Sequence, residues 1–237
     1  MGWHGGQTGL YRRAVAAVMV LALAAGAAVS AQEAGGPGGN GEGDKKPIVM
    51  TIMDDNAVML IAKVDGRDVV RVTGRTRLDH GSRSIWTDEL EYDEDAGTAV
   101  MSGNVELLDH DEDALSLTSR HLRLDLNTEA AIATGGVRFA RGAARGAADE
   151  LHYAEYAALR PLIEAELALR PEAVRRTIRD TLSAFSDDDT LLVLRGGVDM
   201  KDGEREFQSE FVILNTEDDA LVSLGRSAAR LPRPAND

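Results

Sequence analysis

The sequence predicts an all-β protein built from repeated β-hairpins and interrupted once by two short helices. Three observations carry this. First, residues 84–107 alternate with period two on both sides of an Asp/Gly turn: Trp86, Leu90 and Tyr92 stand against Thr87, Glu89, Glu91 and Asp93, and Ala99, Met101, Val105 and Leu107 resume the pattern after Gly97. Such alternation around turn residues marks a half-buried hairpin. Second, the pattern recurs at 61–74, 90–103, 122–135 and 212–225, with the opening apolar residue and the closing glycine 13 positions apart each time. Third, the distance from a closing glycine to the next opening residue is 16 positions after Gly74, Gly135 and Gly196 and 19 after Gly103. Self-similarity at a fixed period defines a repeat architecture before any single element does.

The chain begins with a segment outside the repeat. Arg12 and Arg13 precede an uncharged, Ala-rich apolar run that ends in small residues at Val29-Ser-Ala31. A basic start, a short apolar stretch and a small-residue site before Gln32 describe a secretory signal peptide over residues 1–31. The competing reading is an uncleaved anchor, since 18 apolar residues just span a bilayer; the weak hydrophobicity and the good cleavage site favour cleavage. The chain has no cysteine, which excludes a lipoprotein anchor and any disulfide, so stability must come from the core. Residues 32–47 are rich in Gly, Glu and Lys, with Pro37 and Pro47, and read as a disordered linker.

The remainder, 48–231, is long enough for one domain. Loss of the two arginines of the signal peptide takes the formal charge from −14 to −16. So acidic a chain lacks the basic footprint that nucleic acid requires, and it would not dock electrostatically on an anionic membrane. Most of the acids fall in turns or on the polar face of strands, where they keep a repetitive β-protein soluble and blunt its edges. Aromatic residues make up only 4% of the chain, so the interior is aliphatic. A groove for acyl chains and an ordinary small sandwich would both have this composition.

Residues 47–53 form an additional strand, broken at Asp54-Asp-Asn56, and 57–77 form a weak first unit turning at Asp65-Gly66. Leu78-Asp-His-Gly81 and 108–113 are related turns. His80, His110 and nearby carboxylates could ligate a metal, but 109–113 lacks the glycine-punctuated spacing of a calcium loop, and the turns read as solvated. In unit three, Leu115 and Leu117 differ in parity from Leu122 and Leu124. A β-bulge near Thr118-Ser119-Arg120 restores a common inward face, and the 19-residue spacing offers the extra residue.

A fifth unit fits if Leu151 opens it and Gly196 closes it, but their separation of 45 carries a surplus of 32 residues. Within about 155–186 the alternation gives way to helical spacing at Leu159, Leu162, Ile163 and Leu167 and at Val174, Ile178, Leu182 and Phe185. Pro161 and Pro171 each suit a first helical turn. The apolar stripe of these helices is expected to plug one open end of the β-structure; the alternative is a gate or a partner-docking element. Residues 232–237 are a tail. No phosphate-binding loop, nucleophile elbow or spaced ligand set occurs, so neither catalysis nor a cofactor or metal is expected.

The repeat resembles the OstA-type unit (organic solvent tolerance-like N-terminal domain) of the LptA-like lipopolysaccharide-transport family. The residues that carry the resemblance are Thr87-Asp-Glu-Leu-Glu-Tyr-Asp93, Gly97-Thr-Ala99 and Ser102-Gly-Asn-Val-Glu-Leu107, followed by Leu122-Arg-Leu-Asp125, Ala133-Thr-Gly-Gly-Val-Arg-Phe139 and Ala148-Asp-Glu-Leu-His-Tyr153. The resemblance implies an OstA/LptA-like twisted β-jellyroll with an apolar groove that shields lipopolysaccharide acyl chains in the periplasm and stacks end to end into a bridge. The implied partners are lipopolysaccharide or a similar acylated lipid, other envelope transport proteins of the same fold, and further copies of the chain through edge-strand pairing. Its groove would be lined by Trp86, Leu90, Tyr92, Met101, Val105, Leu107, Leu122, Leu124, Val137 and Phe139. The helical insertion and the long polar stretch before residue 48 depart from that family's pattern. A structural adaptor with a filled core, binding a partner through strand edges or the insertion, is the rival reading.

Overall fold

Hairpins form where the turn residues demand them, and the corner glycines then fold the resulting sheet on itself. The computed structural model describes residues 48–110, 115–217 and 220–230. The expected signal peptide, linker and tail lie outside the described residues, as do Asp111 and Asp113. The elements are β1 (Ile48–Ile52), β2 (Val58–Val64), β3 (Arg67–His80), β4 (Arg83–Asp93), β5 (Thr98–Asp109), β6 (Leu115–Asp125), β7 (Ala131–Arg141), β8 (Ala144–Glu155), α1 (Tyr156–Ala168), α2 (Glu172–Leu182), β9 (Thr190–Asp202), β10 (Arg205–Asn215), β11 (Leu221–Leu224) and β12 (Ala228–Arg230). From β3 to β10 each strand pairs antiparallel with the next in sequence. β1 and β2 both pair with β3, and β11 and β12 both pair with β10, so each edge is one strand broken in two. The fold is all-β and jellyroll-like, with a short helical insertion.

The turn between β2 and β3 shows the local logic. Asp65 at φ 51° and Gly66 at φ 84° are both left-handed, the pair that a two-residue hairpin turn needs to match strand twist.

Every long ladder shifts register near its middle, as between Thr73 and Thr76 on β3, Ser102 and Val105 on β5, and Thr134 and Val137 on β7. These shifts line up into a corner that crosses the sheet. On one strand of each pair a closing glycine makes the bend; on its neighbour a bulged residue lies against that glycine. Gly103 has φ +73°, and a Cβ there would stand 3.0 Å from Asp88. At Gly196, with φ +71°, a Cβ would stand 2.4 Å from Asp149 Oδ2. The strands carrying the bulge tie it down with a hydroxyl: Thr87, Ser119 and Ser209 donate to the carbonyls of Glu89, His121 and Phe211 at 2.8, 3.0 and 3.0 Å. The repeat's constant 13-residue step thus runs from just past the corner of one strand, around the hairpin turn, to the corner glycine of the next.

Two substitutions separate conformational strain from crowding at the corner. Gly136→Ala, at φ +75° with nothing within 4 Å of the added methyl, is expected to cost about 1 kcal/mol from the left-handed backbone alone. Gly196→Ala adds the clash with Asp149 and is expected to cost about 2–3 kcal/mol. Urea denaturation of the two variants checks the ordering.

The bulge expected near Thr118–Arg120 is present: β6 shifts register between Thr118 and His121. It is not tied to the longer spacing, because β4, β8 and β10 carry the same shift. The 19-residue spacing instead reflects a longer connection between β5 and β6.

The corner divides the sheet into two halves whose inner faces meet. One half holds segments such as 67–73, 89–93, 121–125, 190–195 and 211–215; the other holds 76–80, 83–87, 115–119, 137–141 and 198–202. Both feed a single apolar cluster, with Val72, Leu90, Leu122 and Leu194 from the first half and Leu78, Ile85, Leu117 and Met200 from the second.

The helices lie elsewhere than expected. A plug in an open end would pack against strand ends facing the interior. Instead Tyr156, Leu159, Ile163 and Leu167 form one stripe of α1 and pack with Leu182 of α2 on Leu191, Val193, Phe211, Ile213, Val222 and Leu224. Those strand residues alternate with Leu192, Leu194, Val212 and Leu214 of the inner cluster, so the insertion covers the outer face of the first half-sheet. Its physical cause is the apolar outer face itself. Asp187 and Asp189 carbonyls accept from the Ala157 and Tyr156 amides at 3.0 and 2.8 Å, and so satisfy the start of α1. Pro161 falls inside α1 rather than in its first turn; the carbonyl it leaves without a donor belongs to exposed Ala157. Glu164 on α1 and Arg179 on α2 join the helices at 2.7 Å, and the hydrogen bond from Arg179 holds the Glu164 carboxyl below its usual range.

Candidate functional site

Alternation on each strand places large aliphatic residues on the inner face, and the corner brings the two inner faces together. Of the ten expected lining residues, Leu90, Tyr92, Met101, Val105, Leu107, Leu122, Leu124, Val137 and Phe139 belong to the single inner cluster, each no more than 5% exposed. The facing walls therefore touch, and the interior is closed against water. Met101, Leu122 and Ala133 lie side by side on consecutive strands. Burial raises the Tyr92 phenol above its ordinary pKa, with Glu94 and Asp93 adding to the shift.

Trp86 is the exception. The register shift on β4 between Trp86 and Glu89 reverses parity, so Ile85 and Thr87 turn inward at 0% exposure. Trp86 consequently faces outward and is half-buried. The Arg77 guanidinium stacks over it at 5.4 Å from the ring centroid.

Opposite the corner, the free rims of the two halves meet at a mouth. Arg83, at the start of β4 on the second half, bonds Asp109 of its own half at 3.1 Å. It also reaches across to the turn between β6 and β7, donating to the Glu129 carbonyl at 3.2 Å and pairing with the Glu129 carboxylate at 3.2 Å. Its guanidinium lies 5.5 Å from the ring centroid of Tyr153, on β8 of the first half. Arg141, at the end of β7 on the second half, donates across the mouth to the Thr216 carbonyl at 2.6 Å. Tyr153 packs its ring on the inner cluster. Burial raises its phenol pKa; Arg83 and Arg141 oppose that shift, while Asp109 and Glu129 add to it. A polar clasp thus sits directly over an aliphatic interior.

Sequence reasoning did not find this clasp. Tyr153 had a signal, since it occupies the repeat position of Tyr92. Arg83, Glu129, Arg141 and Thr216 follow no local pattern. His110 Nε2 contacts Ser84 Oγ at 3.1 Å, and Ser84 in turn donates to Asp79 at 2.6 Å. Among the described residues no group of three or more His, Cys, Asp or Glu side chains is placed to hold a metal ion, and no helix is long and apolar enough to cross a membrane.

Fold and site define a class: an antiparallel sheet folded along a glycine corner around an aliphatic interior, with polar groups closing its mouth. No family model matches the chain, and no curated protein matches it. Among solved structures, it is similar to LptH from Pseudomonas aeruginosa, described as the LptA homologous periplasmic component of the conserved lipopolysaccharide transport device. Identity is 12% and the TM-score 0.44, over 64% of this chain and 95% of that one.

Proposed function

We propose that this chain is a non-enzymatic periplasmic protein that shields the acyl chains of lipopolysaccharide or a similar lipid between its half-sheets, serving lipopolysaccharide transport and outer-membrane assembly. The observation that carries the reading is the interior itself: one aliphatic cluster from Met50 on β1 to Leu214 on β10, with Met59 and Leu221 packed against it at the two edges. Removing a methylene from water is worth roughly 0.8 kcal/mol, so a chain of about twelve carbons gains on the order of 10 kcal/mol by leaving it. Because the walls touch, loading must part them. That step trades wall-to-wall aliphatic contacts for wall-to-acyl contacts of the same kind, which keeps its cost low relative to the gain. The resemblance of the repeat to the OstA-type unit supports the same reading, and residues 1–31 as a cleaved signal peptide would deliver the chain to that compartment.

Native mass spectrometry of the protein purified gently from its own cell envelope tests this. The expected result is a co-purified amphiphile with the mass of an acylated glycolipid, on a chain beginning at Gln32. A clean apo mass with no uptake of added lipopolysaccharide overturns it. The adaptor reading is favoured by a different observation: Met53, Val58, Leu60 and Ile61, at the β1–β2 edge, are 55, 65, 52 and 57% exposed. In that case the same spectrum shows a bound protein instead of a lipid.

A further inference from the structure

We propose that the clasp at the mouth is a recognition site for a phosphate monoester carried on an acylated amphiphile. Arg83 and Arg141 exchange their partners across the seam, Glu129 and the Thr216 carbonyl, for the phosphate oxygens, and the exchange frees the two rims to part. This rests on the acyl-shielding function proposed above.

The geometry makes the exchange clean. Arg83 is 11% exposed and keeps Asp109, 13% exposed, as a partner on its own half. The group it gives up, the Glu129 carboxylate, is 45% exposed and returns to water without leaving a buried charge. Thr216 is likewise only partly buried, so its carbonyl can be rehydrated. The Glu129 backbone carbonyl, which Arg83 also releases, belongs to a half-buried residue and can be rehydrated in the same way, so these contacts break without the usual cost of an orphaned buried acceptor. Arg83 and Arg141 both stand on the second half and both bond to the first half, so one ligand that satisfies them loosens the hold of both arginines across the mouth.

The chemistry selects the ligand. A guanidinium presents a planar fork that matches the oxygens of phosphate, and a dianionic phosphate outcompetes a neutral carbonyl or a single carboxylate. A carboxylate headgroup would merely replace Glu129 with its equal. Position supplies the rest. Tyr153, stacked against Arg83, is continuous with the inner cluster, so a headgroup held by the arginines places its attached chain at the entrance of the interior.

The test titrates the full mature chain by calorimetry with dodecyl phosphate, dodecanol and inorganic phosphate, the amphiphiles kept below their micelle-forming concentrations. Because the chain has no cysteine, spin labels at His110→Cys and Thr128→Cys report the distance between the rims without background. Dodecyl phosphate is expected to bind at least about ten-fold more tightly than dodecanol, the margin of one charge-assisted contact, and to widen the label distance. R83Q/R141Q is expected to bind the two amphiphiles equally, and E129Q, which removes the competing carboxylate, to bind dodecyl phosphate several-fold more tightly. The single R141Q variant gives the same comparison should the double variant fail to fold. Equal affinities in the unaltered protein, or a preference that survives in R83Q/R141Q, overturns the site and leaves acyl shielding standing. Inorganic phosphate that binds as tightly and widens the rims alone makes this a free-phosphate site and overturns the headgroup assignment. Binding of neither amphiphile overturns acyl shielding and this site together.

Discussion

Replacing Leu122 by glutamate is expected to unfold the lipid-free protein. Leu122 is 1% exposed on β6, flanked across the ladder by Met101 and Ala133 at 0%. A carboxylate there meets aliphatic groups from both half-sheets and has no donor within the cluster. It must either be buried without a partner or be protonated well above its usual range, and either costs several kcal/mol. Small domains hold only about 5–15 kcal/mol in total. The expected observation is loss of the cooperative thermal transition in circular dichroism. Leu122→Ala, which only opens a cavity, should cost about 2–5 kcal/mol and keep the transition. Arg123→Glu places the same charge one residue away on the exposed face, and should shift stability by no more than about 0.5 kcal/mol. A Leu122→Glu protein that melts like the parent would mean that water already reaches the inner walls, and the interior would be a standing groove rather than a seam that opens.

The repeat was legible because hairpin, corner and period are local. A turn fixes each hairpin within a few residues, and the left-handed corner admits little besides glycine, so both leave marks at constant spacing. The bulge on β6 was legible for the same reason: Leu117 and Leu122 cannot share a face without it. The equivalent bulge on β4 was hidden, because Ile85 and Trp86 are both apolar and either could have turned inward. Parity could be read on β6 and not on β4, and Trp86 was assigned to the wrong face. The clasp could not be read at all. Arg83 and Glu129 are 46 residues apart, Arg141 and Thr216 are 75 apart, and the angle at which the half-sheets close, which brings them together, is written in no local pattern.

The site of the helical insertion did have a signal. Repeat positions matching Phe211 and Ile213 carry Glu89 and Glu91 on β4, His121 and Arg123 on β6, and Glu150 and His152 on β8. At these repeat positions the outer face is apolar only on β10, beneath the insertion, so sheet and helices are complementary by sequence as well as by contact.

From this complementarity it follows that replacing residues 156–189 with a two-residue Asp-Gly turn between the paired Glu155 and Thr190 will give insoluble protein. The deletion restores the length of the ordinary repeat, yet it uncovers Leu191, Val193, Phe211, Ile213, Val222 and Leu224, which are 0, 0, 1, 0, 6 and 3% exposed in the intact fold. Burying such side chains is worth about 1.5–3 kcal/mol each, so their exposure removes on the order of 10 kcal/mol, the scale of the whole domain's stability. Their position near the β11 edge adds a second hazard, since an apolar face beside an unpaired edge templates aggregation. Giving the shortened chain the charges its own repeat uses elsewhere, Phe211→Glu and Ile213→Arg, should recover soluble protein with a cooperative transition, because the inner residues Val212 and Leu214 are untouched. Solubility and thermal melts of the two shortened chains decide the matter. If the plain deletion is already soluble and as stable as the parent, the helices contribute nothing to the sheet, and their area of contact must be explained by what they do when the half-sheets part.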